Sequence, residues 1–138
     1  MNKFLFTLVV ILSFAFAVAA TPSKPFTLRI GQQKFLTDGK LTVRFVSVVE
    51  DSRCPVDTSC IWEGNAKIKV VISKRGRGEK ILEINSVVNP FTGSAFGYEF
   101  RLEDLSPRPD PRRMRGMGAS LGPARIATVR ISVTKLGR

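Results

Sequence analysis

The stretch CIWEGNAKIKVVISK, residues 60–74, decides the fold class. Trp62, Gly64, Ala66, Ile68, Val70 and Ile72 recur at every second residue, and Glu63, Asn65, Lys67 and Lys69 occupy the positions between them. A period of two is the signature of a strand with one buried face. Lys74-Arg75-Gly76-Arg77-Gly78 then reads as a hairpin turn into KILEINSV, residues 80–87. Cys60 and Trp62 share parity with Ala66 and Ile68, so the pattern makes Trp62 a core anchor close to the cysteine.

The same alternation recurs along the chain. Phe26, Leu28 and Ile30 flank Thr27 and Arg29; Leu41, Val43 and Phe45 flank Thr42 and Arg44, after a Thr37-Asp38-Gly39 turn. From Val46 to Val49 the alternation blurs, which predicts a bulge or a strand covered on both faces. Phe96, Tyr98, Phe100 and Leu102 form one further apolar row, and Ala127, Val129, Ile131 and Val133 form another. No stretch after residue 20 has a capped 3.6-residue period. The expectation is an all-β fold: an antiparallel sandwich or open barrel of six to eight strands.

One segment breaks the pattern. SPRPDPRRMRGMGASLGP, residues 106–123, is punctuated by prolines and glycines and predicts a long loop. It carries Arg108, Arg112, Arg113 and Arg115 against Asp110 alone, with Met114, Met117 and Leu121 as apolar neighbours. These four arginines are the candidate contact for an anionic surface, whether a membrane or an envelope polymer. Nucleic acid is not the expected partner, because the loop has no aromatic residue on which bases stack.

Residues 1–20, MNKFLFTLVVILSFAFAVAA, carry Lys3, then an apolar run from Phe4 to Val18, then small residues. That is the order of a secretory signal peptide. The remainder, residues 21–138, is about 118 residues long, one domain with one core. The expected location is therefore outside the cytoplasm, periplasmic or extracellular. The chain has 22 Lys and Arg against 11 Asp and Glu, a formal charge of +11, so anionic partners are favoured in general.

Export places Cys54 and Cys60 in an oxidising compartment, where two cysteines read as a disulfide. Two cysteines without any histidine do not complete a zinc site. Glu50, Asp51 and Asp57 lack the regular spacing and closing glutamate of a calcium loop, so they read as solvated charges at a turn and no metal is expected. Redox chemistry prefers cysteines separated by two residues rather than five. A short ring stiffened by Pro55 is best explained as a staple, worth about 2 kcal/mol by restricting the unfolded chain.

The run Phe45-x2-Val48-x-Glu50-Asp51-Ser52-Arg53-Cys54-Pro55-x4-Cys60-x-Trp62-x-Gly64-x-Ala66 resembles a motif of small exported bacterial proteins. The resemblance covers about a fifth of the chain that follows residue 20. It implies an exported β-protein with this disulfide, and it carries over no catalytic residue.

Catalytic machinery is sparse. The absence of histidine removes the usual Ser-His and Cys-His pairs. Ser132-Val133-Thr134-Lys135 matches an S-x-x-K pattern, but on a strand residues three apart face opposite ways. Glu99, Glu103 and Asp104 read as the polar face of a strand rather than a glycosidase pair. No phosphate loop or dinucleotide fingerprint is present, so no cofactor is expected. The sequence therefore reads as a non-catalytic binding or envelope-associated domain. The alternative is an inhibitor-like module that presents the Cys54–Cys60 ring to a protein partner, and exposure of the ring separates the two.

Overall fold

A computed structural model describes residues 24–37, 40–112 and 127–137. Residues 1–23, 38–39, 113–126 and 138 lie outside them, and with them the segment expected to be a signal peptide. Eight strands follow in order: β1 (Phe26–Arg29), β2 (Gln33–Leu36), β3 (Leu41–Asp51), β4 (Ala66–Lys74), β5 (Gly78–Asn85), β6 (Thr92–Ala95), β7 (Tyr98–Ser106) and β8 (Thr128–Lys135). They form two antiparallel four-stranded sheets, ordered β1-β8-β7-β6 and β2-β3-β4-β5. The fold is a β-sandwich, not a closed barrel, and Cys54 and Cys60 are joined in a disulfide.

Each alternating row supplies one wall of the core. From the second sheet come Leu41, Val43, Phe45, Ala66, Ile68, Val70, Ile72, Leu82 and Ile84; from the first come Phe26, Leu28, Phe100, Leu102, Val129, Ile131 and Val133. Burying one such aliphatic or aromatic side chain is worth about 1.5–3 kcal/mol, which is why these rows dictate the register. The blurred stretch of β3 holds two irregularities, between Phe45 and Ser47 and between Val48 and Glu50. They fall where the alternation fails, as a bulge requires.

Two short strands escape the alternation. β2 is exposed at Gln33, Lys34 and Phe35, and β6 is the small-residue run TGSA. Both are edge strands, so neither needs a full apolar row. Phe96 belongs to no strand. With φ of 54° at Phe96 and 84° at Gly97, the pair forms the two-residue turn joining β6 to β7.

The strands end at two poles. Asp51, Ala66, Asn85, Ser106 and Thr128 lie at the pole of the disulfide ring. Leu41, Lys74, Gly78, Ala95, Tyr98 and Lys135 lie at the opposite, hairpin pole.

Candidate functional site

The residues between β3 and β4 build the ring pole, and most of them have a structural task. Ser52 N donates to Asn65 O at 2.8 Å, and Asn65 N donates back to Ser52 Oγ at 3.0 Å. This lock brings the two backbones so close that a Cβ at Gly64 would sit 2.0 Å from Ser52 O. Gly64 also has φ +72°, a conformation that a side chain disfavours. The Asn65 side chain is buried, donates to Asn85 Oδ1 at 3.0 Å and accepts from Val87 N at 3.2 Å. Ala66 then opens β4, fully buried.

Arg53 bolts this corner to the other sheet. Its Nε and Nη2 each donate to Asp51, at 2.8 Å, in the bidentate fork that only a guanidinium offers. Nη2 also donates to Pro107 O at 3.0 Å, and Nη1 donates to Leu105 O at the end of β7. Both partners of the ion pair are largely shielded, at 13% and 15% side-chain exposure.

The start of the arginine-rich segment docks on the ring. Val56 N donates to Pro109 O at 3.0 Å, Pro109 is buried, and Arg112 pairs with Asp57 across the surface. Arg112 also lies 3.7 Å from Asp110. Arg108 is exposed and lines a cleft of about 320 Å³ with Arg53, Cys54, Glu63 and Arg101. Arg113 and Arg115, with Met114, Met117 and Leu121, lie outside the described residues. Residues 107–110 follow β7 without regular structure, as the expected loop would, and Pro109 and Arg112 tie this start of the segment to the disulfide ring.

The core-anchor assignment of Trp62 is overturned. Trp62 is 76% exposed and Ile61 is 95% exposed. The parity argument fails because the strand begins only at Ala66. The positive φ of Gly64 and the Ser52–Asn65 lock turn the chain first, so positions before the turn do not inherit the strand's inward face. Cys60 is exposed as well. The second half of the ring, residues 57–60, is thus exposed, and the two residues that follow it carry adjacent large apolar side chains into solvent.

The remaining sequence candidates do not converge. Ser132 Oγ donates to Glu103, while Lys135 closes the same strand opposite Tyr98. Thr92 Oγ1 donates to Glu99 at 3.3 Å, and Ser106 Oγ donates to Asp104 at 3.3 Å. Among the described residues, no three His, Cys, Asp or Glu side chains cluster as metal ligands. Sequence reasoning found the ring but missed Ile61, whose only signal was its place off the apolar parity. Compared with protein-family models, curated proteins and solved structures, the chain finds no match.

Proposed function

We propose that the chain is an exported, non-catalytic binding domain whose disulfide ring presents Ile61 and Trp62 to a protein partner. One observation carries this reading: two neighbouring large apolar side chains stand in solvent on a backbone fixed at both ends. The Cys54–Cys60 bond closes one side, and the Ser52–Asn65 lock with Gly64 closes the other.

Such a tip suits recognition. Tryptophan dominates binding hot spots, because it buries a large area at little rotamer cost. A pre-ordered ring also spares the entropy of ordering a loop on contact. Exposure of the ring favours the presented module over the core staple; an inhibitor is the special case in which the partner is an enzyme. The resemblance to small exported bacterial proteins supports the location.

Site-specific photocrosslinking in the exporting cell tests this. A photoreactive side chain at position 62 should give a discrete protein adduct that disappears with Ile61→Ser. The same probe at position 81, where Ile81 is 64% exposed on a sheet face, should not give that adduct. Equal labelling from both positions would defeat the reading.

A further inference from the structure

The hairpin pole is chemically unlike the ring pole. Six cations gather there: Lys40 before β3, Lys74 at the end of β4, Arg75 and Arg77 in the hairpin loop, Lys80 in β5 and Lys135 at the end of β8. The described acids of this end are Glu79 and Glu99, held by Ser73 Oγ at 2.8 Å and Thr92 Oγ1 at 3.3 Å. The excess of cations is therefore local as well as global.

The array is also fixed. Arg75 N donates to Lys40 O at 3.0 Å, joining the β4–β5 loop to the β2–β3 turn. Arg77 N donates to Lys74 O at 2.9 Å. Lys74 Nζ crosses to the other sheet, 3.4 Å from Phe96 O and 5.8 Å from the centre of the Tyr98 ring. Lys80 Nζ makes the same crossing to Ser94 O at 3.0 Å. Lys135 is the ladder partner of Tyr98, which sets it beside Lys74.

We propose that this pole is a docking surface for an anionic phospholipid bilayer, which would leave the ring pole pointing away from the membrane. The cations come from two turns and a strand of one sheet and from the end of β8 in the other, so they form a patch suited to a plane rather than a track suited to one polymer strand. Clefts of about 320 and 160 Å³ lie toward the other pole. Leu136 follows Lys135 and is exposed, and exposed Phe35 flanks the β2–β3 turn, which adds apolar contact beside the charges. A pole that is merely solvated would give the same net charge but no localised binding.

The test uses the exported protein and vesicles of phosphatidylcholine, with and without phosphatidylglycerol. Replacing Lys40, Arg75, Arg77 and Lys135 by Gln should weaken partitioning to the anionic vesicles about a hundredfold at low salt. Replacing Arg29, Arg44, Lys67 and Arg130 by Gln removes the same charge elsewhere and should leave most of the partitioning intact. Thermal melts of both variants confirm that each is folded. Fluorescence of Trp62, the single tryptophan, should not shift to the blue on binding, since the ring faces away. Equal losses in the two variants, equal partitioning to neutral vesicles, or a blue shift of Trp62 would overturn the proposal. Binding of a soluble sulfated polymer through the same residues, without binding to vesicles, would overturn it in favour of a polymer ligand.

Discussion

Arg53 and Asp51 meet in a two-point ion pair, both contacts 2.8 Å long, at the corner where β3 gives way to the ring. The guanidinium also reaches the Leu105 carbonyl of the opposite sheet and the Pro107 carbonyl just beyond it, so it clamps the sandwich at one end. Arg53→Ala strands the Asp51 carboxylate in a shielded site and should cost about 3 kcal/mol. Arg53→Lys should recover little of this, because an ammonium cannot serve the carboxylate and both carbonyls in one plane. Chemical denaturation of the two variants measures both effects.

Gly64→Ala should destabilise far more than Gly76→Ala. Both glycines have positive φ, which alone costs a side chain about 1 kcal/mol. At Gly76 nothing lies within 4 Å of an added Cβ, whereas at Gly64 it meets the Ser52 carbonyl. The added strain should bring the Gly64 variant to about 3 kcal/mol or more. Comparable midpoints for the two variants would contradict the lock between Ser52 and Asn65.

Removal of the disulfide and removal of the indole should separate cleanly. Cys54→Ser with Cys60→Ser should lower stability by about 2 kcal/mol. Trp62→Ala should change it by less than about 0.5 kcal/mol, as exposed positions do, instead of the 3–5 kcal/mol of an emptied core site. A melting temperature that falls more for Trp62→Ala than for the cysteine variant would restore the core anchor.

Mass spectrometry of exported protein should show the chain beginning near Thr21, lighter by a further two hydrogens from the Cys54–Cys60 bond. Full-length mass in the membrane fraction, or two alkylatable thiols, would contradict this.

The sandwich was legible wherever burial enforces alternation. Ile68, Val70 and Ile72 announced β4, and Val129, Ile131 and Val133 announced β8, because a shift of one residue would turn each row into solvent. The edge strands β2 and β6 were not legible, since Gln33-Lys34-Phe35 and Thr92-Gly93-Ser94 bury too little to show a period. Trp62 was misread for a related reason. Parity is a property of continuous pleat, and Gly64 interrupts it. The cations of the hairpin pole went unnoticed because Lys40, Arg75 and Lys135 are far apart in sequence, while Arg108–Arg115 are contiguous. Only the topology brings the former together.

Among the described residues, β1 has a single ladder partner, β8, about a hundred residues later in the chain. Every other neighbouring pair of strands is consecutive in sequence, so seven strands pair as the chain lengthens and β1 alone has to wait. Delivery from the N-terminus, whether from a ribosome or through a translocation pore, therefore exposes the Phe26–Arg29 edge until the last strand arrives. Long-range closure of this kind is slow. The sandwich is completed by β8, and a chain cut short before Thr128 would leave Phe26 and Leu28 without the strand that pairs with theirs.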